Sequence, residues 1–254
     1  MRYLVIIIAF ISCSGLAMAQ VVEHEVINRA GNNGTLTYIF QHEEIQGTQF
    51  LQDTWMDASI TISNGYTFGH QSVKFDVYNN KIIFNRHDTA FELPAERATV
   101  VVYPNPADTS KKMVFKNGYS IDSKIAPVKF AQVLAEGNTG LLKYYYKEVE
   151  EYTEYGNANK LKRFMDRATY YVLSDKQYIP VTLGKKSLER ILKPKWSQME
   201  PYLRQHTISG KDEAGWVLAL AYYNSLSMAS GWQMTTQHSF LASQGVTLPT
   251  SPAK

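Results

Sequence analysis

The chain has 254 residues, of which 44% are hydrophobic and 19% charged, with a formal net charge of +3. This balance sets up no long-range field that would select nucleic acid or an anionic membrane surface, and the basic residues read as dispersed. The single cysteine, Cys13, excludes an intramolecular disulfide and a thiolate metal site.

The first nineteen residues read as a cleavable export signal. Met1-Arg2-Tyr3 supplies a basic start, Leu4 to Ile11 an apolar run too short to span a bilayer as a helix, and Ala17-Met18-Ala19 the small residues that a signal peptidase accommodates. Cleavage there exposes Gln20. A second route competes: Phe10-Ile11-Ser12-Cys13 resembles a lipobox, in which Cys13 is lipidated and becomes the first mature residue. No later apolar run approaches the length of a membrane span, so none is expected in the mature chain.

Strand signals begin at Thr35 to Phe40, after the turn-forming Gly31-Asn32-Asn33-Gly34. Asp57 to Ser63 alternates Ala58, Ile60 and Ile62 with polar residues and ends at Asn64-Gly65; Tyr66-Thr67-Phe68 is the expected return strand. Ser72 to Tyr78 then puts Val73, Phe75 and Val77 on one face, Asn79-Asn80 turns, and Lys81 to Phe84 returns. Further strands are expected at 89–93, 98–103, 112–115, 128–135 and 140–152, the last two joined through Asn138-Thr139-Gly140. A polar stretch from Thr153 to Arg163 reads as a separator before a last pair, 168–173 and 178–183.

After Gly184 the period changes. Leu188, Ile191, Leu192, Trp196, Met199 and Leu203 recur at helical spacing, and Pro194 and Pro201 predict two short helices or one kinked one. Ser209 reads as the cap of another helix running to about Leu226, with Asp212 near its positive end. The expected class is α+β: a mainly antiparallel sheet of hairpins, open to strong curvature, followed by a small helical unit. The expected divisions are a signal over 1–19, a β-rich body over 20–183, a helical unit over 184–226 and a weakly ordered polar tail over 227–254.

Signatures for nucleophilic, phosphate-binding or metal chemistry are missing: there is no G-x-S-x-G, no G-x-x-x-x-G-K-[ST] and no H-E-x-x-H. His42-Glu43-Glu44 and His24-Glu25 lack a second histidine one helical turn away, and no metal or cofactor is expected. Glu148, Glu150, Glu151 and Glu154 form an acidic cluster. Glu148 and Glu150 share one strand face about 7 Å apart, a spacing usable for acid–base work or simply for a solvated strand end. Seventeen tyrosines stand out, with runs at Tyr144-Tyr145-Tyr146 and Tyr170-Tyr171. On a strand, Tyr144 and Tyr146 face one way and Tyr145 the other, so Tyr144 and Tyr146 are the candidate ligand-binding residues, as well as ordinary strand-formers. Cys13 and Thr89, the latter within Asp88-Thr89-Ala90, are candidate modification sites.

The order of motifs resembles a family of uncharacterised exported, strand-rich proteins of Bacteroidota. The pieces that carry it are Phe50-Leu51 with Trp55, Ile60 to Gly65, Val73 to Phe84, Tyr170 to Leu173 through Lys185 to Leu188, and Tyr222 to Leu226. The resemblance implies a fold and a cell envelope, and it carries no catalytic residue. Its implied setting is periplasm or cell surface, with anchoring only if Cys13 is lipidated. The functional expectation is a non-enzymatic binding or scaffolding module for an envelope protein, glycan or lipid. An exported hydrolase of glycan or peptide and a lipid carrier are the alternatives.

Overall fold

The computed structural model describes residues 35–36, 44–94, 97–105, 107–121, 125–155, 159–175 and 177–228. The signal over 1–19, Cys13, His24-Glu25, His42-Glu43 and the tail beyond 228 lie outside them. The chain is α+β, as expected. Among the described residues twelve strands precede the helices: β1 (Thr35–Leu36), β2 (Ile45–Gln46), β3 (Met56–Ile62), β4 (Thr67–Asp76), β5 (Lys81–Arg86), β6 (Thr89–Glu92), β7 (Ala98–Tyr103), β8 (Met113–Lys116), β9 (Ala131–Ala135), β10 (Gly140–Tyr152), β11 (Leu161–Ser174) and β12 (Gln177–Val181). They form one sheet in the order β1-β6-β5-β4-β3-β7-β8-β9-β10-β11-β12, antiparallel except that β2 adds to β11 in parallel.

The two hairpins expected near the start share a strand. Thr67–Phe68 and Ser72–Asp76 of the two expected strands are parts of the single strand β4, which carries one extra residue where its register against β3 passes from Ala58↔Gln71 to Ile60↔Phe68. His70 takes a positive φ of 52° there. The bulge keeps Phe68 on the same face as Val73 and Phe75, so the apolar pattern stays buried although the sequence alternation is broken.

A second correction concerns 153–163. No separator divides the sheet: β11 starts at Leu161 and pairs with β10 over thirteen residue pairs, from Gly140↔Leu173 to Tyr152↔Leu161. The charged residues that read as loop are cross-strand partners in an exposed hairpin arm, with Arg163 bonded to Glu150 and Arg167 to Glu148.

The sheet curls strongly. The β4–β5 turn lies several strands from β9 and β11 in the sheet order, yet the Asn80 side chain brackets the Phe130 backbone with bonds of 2.9 and 2.6 Å, and the Tyr78 ring meets Phe164 at 5.2 Å. Asp76 organises this turn: its buried carboxylate accepts from the Gln49 amide and from the Asn79 backbone and side chain, all neutral donors. Inside the curl, Ala58, Ile60, Phe75, Ile82, Val100, Val102 and Phe115 make one core, with Tyr145 packed against it.

Over the other end of the same inner face lie α1 (Lys185–Leu192), a 3-10 turn (Lys193–Lys195), α2 (Trp196–Gln205) and α3 (Glu213–Met228). Leu188, Leu192, Met199, Trp216 and Leu220 pack there with Leu141, Val172 and Val181 of the sheet. Pro194 sits in the 3-10 connector, whereas Pro201 lies inside α2 without ending it. The cap of α3 differs from the expectation. Asp212 accepts the Gly215 N–H at 2.7 Å as the N-cap, while Ser209 only closes a small turn on Lys211.

Candidate functional site

Period-two alternation divides β10 between two environments. Leu141, Lys143 and Tyr145 face inward toward the helices and the curl, and Leu142, Tyr144 and Tyr146 face outward. The outward rows continue across the antiparallel ladder, with Gly140, Leu173 and Tyr178 level with one another and Leu142, Tyr171 and Pro180 in the next row. Tyr119, Tyr144, Tyr171 and Tyr178 thus gather around one apolar cluster containing Val133 and Leu142. The Tyr144 and Tyr146 rings stack at 6.3 Å and 25°. From Gly140 to Tyr146 the face extends about 20 Å along the strand.

One end of this face is a cleft of about 240 Å³ lined by Tyr119, Tyr178, Val133, Leu142, Leu173 and Glu136 among others. The Tyr119 and Tyr178 rings meet edge to face at 6.0 Å and 71°. Tyr119 comes from an irregular segment and is positioned by backbone bonds. Ala98 donates to the Asn117 side chain at 2.8 Å, and Gly118 donates to the Pro127 carbonyl at 2.6 Å. Gly118 has φ +90°, and a Cβ there would lie 2.8 Å from Arg97 Nε, so only glycine fits. The opposite lip is the β9–β10 turn. Asn224 of α3, 1% exposed, accepts the Thr139 N–H at 3.0 Å and donates to the Thr139 carbonyl at 2.8 Å. Glu136 at this lip is ion-paired with Lys116.

Burial pushes the Tyr119 phenol up, with the Glu136 charge adding to the effect and Arg97 opposing it; burial alone raises Tyr178. Both remain O–H donors at neutral pH. The cleft adjoins a second depression of about 380 Å³ over Gly137, Asn138, Leu173 and Tyr178, so Leu173 and Tyr178 border both and the site is open along the β9–β10 turn.

On the inner face, Lys143 is 16% exposed in its side chain and bonds Glu213 at 2.6 Å, which also accepts from Tyr170 at 2.7 Å. Its ammonium lies 4.6 Å from the Tyr145 ring centroid, and Tyr145 donates to Gln132 at 2.8 Å. Burial works to lower the Lys143 pKa, but the Glu213 carboxylate and Tyr145 outweigh it and hold the amine well above the usual lysine range. Burial raises Tyr145 against the pull of Lys143, and burial with the Glu213 bond pushes Tyr170 up to about 12. The Lys143 ammonium is thus committed to the Glu213 carboxylate and the Tyr145 ring. The cluster is a polar joint between α3 and the sheet, where the two inner cores meet.

The acidic cluster is not a pair of free carboxylates. Glu148 pairs with Arg167 at 2.8 Å, Glu150 with Arg163 at 2.7 Å and Glu151 with Lys160 at 3.1 Å, all on the exposed arm. Glu154 lies beyond the end of β10. His70 lies 3.4 Å from Asp57, His206 packs on Tyr202, and His87 stands in the β5–β6 turn. Among the described residues no three His, Cys, Asp or Glu side chains converge on a possible metal position. Thr89 opens β6 just after that turn, where His87 and Asp88 have φ of 49° and 58°.

Sequence reading placed Tyr144 and Tyr146 on one face, which is where they stand. It did not join Tyr119, Tyr171 and Tyr178 to them, because Tyr119 lies outside any periodic segment and the β10–β11 register was hidden by the charged stretch. Comparison with known proteins identifies no matching protein family, curated protein or solved structure.

Proposed function

We propose that the protein is an exported, non-enzymatic binding or scaffolding module of the cell envelope, and that it takes a glycan on the tyrosine face of β10–β12. The observation that carries the reading is the alignment of the half-buried Tyr178, Tyr144 and Tyr146 along one outward sheet face, over the buried Tyr171 and ending in the Tyr119–Tyr178 cleft. Tyrosine offers a flat apolar ring to the C–H face of a sugar and an O–H to its hydroxyls. Arg167 and Glu148 beside Tyr146 supply further polar contacts at the rim. The export signal and the resemblance to Bacteroidota envelope proteins support the location. The hydrolase alternative loses its candidate acid–base pair to the arginines, and a lipid carrier is disfavoured because the inside of the curl is filled by the packed core around Phe75 and Phe115.

Retention of the mature protein on peptidoglycan sacculi and on chitin, with dextran as a soluble competitor, tests the reading. Tyr146→Ala and Tyr178→Ala, which remove half-buried rings without touching α1–α3, are expected to lower retention at least tenfold each. Retention on neither matrix, or retention indifferent to both substitutions, refutes it.

A further inference from the structure

The overall charge balance conceals a local one. Residues 185–212 contain seven basic side chains (Lys185, Lys186, Arg190, Lys193, Lys195, Arg204 and Lys211) against three acidic ones (Glu189, Glu200 and Asp212), a local excess of four positive charges that exceeds the formal +3 of the whole chain. The basic residues read as dispersed along the sequence, but α1 and the following 3-10 turn gather five of them. Lys186, Arg190 and Lys193 are exposed on the side opposite the buried Leu188 and Leu192, and the exposed Lys185 borders them at the start of the helix. None of the four forms an ion pair with a described residue, whereas Arg204 is taken by Glu200 at 2.7 Å and Lys195 lies 5.0 Å from the Tyr223 ring. Lys211 adds to the patch, because the adjoining Gly210 packs against Lys185. Glu189 is the one acidic residue within the strip.

We propose that this face of α1 docks the protein on an anionic phospholipid surface. Four unneutralised cations along about 12 Å of helix form a strip that a sheet of lipid headgroups can meet at once. The apolar side of α1 is already spent on the core with Met199 and Leu220, so the helix cannot insert and the attachment is electrostatic and reversible. Among the described residues no helix is long and apolar enough to cross a membrane, which agrees with attachment from outside. The geometry also orients the molecule. The helices cover the inner face of β9–β12 and the tyrosines occupy the outer face of the same strands, so a bilayer beneath α1 leaves the tyrosine face pointing away from it. This inference does not depend on what the tyrosines bind.

The test is co-sedimentation of the mature chain with vesicles of phosphatidylcholine alone and of phosphatidylcholine mixed with phosphatidylglycerol. Binding is expected only to the anionic vesicles and is lost near 1 M salt, where the Debye length falls to about 3 Å. Reversing the four charges (K185E, K186E, R190E and K193E) removes binding by on the order of several hundredfold, from about a factor of five for each basic side chain near such a surface. The charge-preserving set K185R, K186R, R190K and K193R retains it. Circular dichroism checks that both variants fold; these side chains point to solvent, so neither is expected to unfold. Equal binding to both vesicles, no binding to the anionic ones, or a reversed variant that binds like the parent each overturns the proposal. So does binding to soluble polygalacturonate without binding to vesicles, which would assign the patch to an acidic polysaccharide.

Discussion

Asn224 is the position where a single side chain has the most leverage on the site. It accepts the Thr139 N–H and donates to the Thr139 carbonyl, with a weaker contact to the Glu136 carbonyl at 3.4 Å, and so fastens the β9–β10 turn to α3. Asn224→Leu preserves bulk but strands both Thr139 backbone groups in a buried turn, at about 1–3 kcal/mol each. Allowing for partial relaxation, a loss of about 2–4 kcal/mol is expected, a large share of the roughly 5–15 kcal/mol of a typical fold. For a chain of this size that lowers Tm by about 4–16 °C. Urea denaturation gives the free energy, and amide exchange at Thr139 should quicken selectively. Asn224→Asp adds a sharper test, because a carboxylate would face two carbonyl oxygens at neutral pH and regain a donor once protonated. It should therefore be less stable than the parent at pH 7 and recover on acidification. A loss below about 0.5 kcal/mol in Asn224→Leu, the range of ordinary surface substitutions, would refute the assigned role of this clamp.

Alkaline stability follows from the raised phenols and Lys143. Each has a higher pKa in the folded state, so its contribution is complete below the unfolded value near 10 and is lost as pH rises through the folded value, about 12 for Tyr170. Chemical denaturation is expected to show stability falling between about pH 10 and 12, and tyrosinate absorbance should appear together with unfolding rather than ahead of it. Glu213→Gln leaves Lys143 without its counter-charge; after discounting for the partly exposed carboxylate, about 1–3 kcal/mol is lost. The Lys143→Met, Glu213→Gln double variant should lose less than the two single variants together, as a thermodynamic cycle would reveal. The Glu148–Arg167 and Glu150–Arg163 pairs are exposed, and double-mutant cycles should give couplings below about 1 kcal/mol that vanish in high salt.

The strands whose apolar alternation is unbroken were legible in the sequence: β7 and β10 begin and end where alternation and turn residues place them. What was hidden depends on partners far along the chain. The bulge at His70 makes two short strands of the alternation but one strand of the backbone. Leu161 to Arg163, the start of β11, reads as part of the polar stretch from Thr153 because Lys162 and Arg163 pair with the charged Glu151 and Glu150 of β10. Asp212 displaces Ser209 as the α3 cap because Trp216 must reach the Gly210 carbonyl at 2.7 Å while burying its ring, which fixes where the helix begins. The tyrosine face was half visible. Alternation alone separated Tyr144 and Tyr146 from Tyr145, whereas Tyr119 and Tyr178 reach the face only through the register of β10–β12 and the pinning of Gly118.

That register ties the two faces together. A slip of one residue between β10 and its neighbours would turn Tyr144 and Tyr146 into the curl and carry Lys143 away from Glu213 to the outer face. The slip is opposed at both ends of the strand. At one end Leu141 is buried beneath the helices and Asn224 holds Thr139; at the other, the Arg163–Glu150 and Arg167–Glu148 pairs match only in the native pairing. The surface pairs add little stability individually, but they lie on an arm that few apolar contacts hold, so their contribution is to the choice of register rather than to the depth of the fold. The burial of α3 against β10 and the display of tyrosines on the opposite side are consequently one structural fact. A substitution that loosens the helix joint at Lys143 and Glu213 should disturb ligand retention on the tyrosine face even though it touches none of its residues.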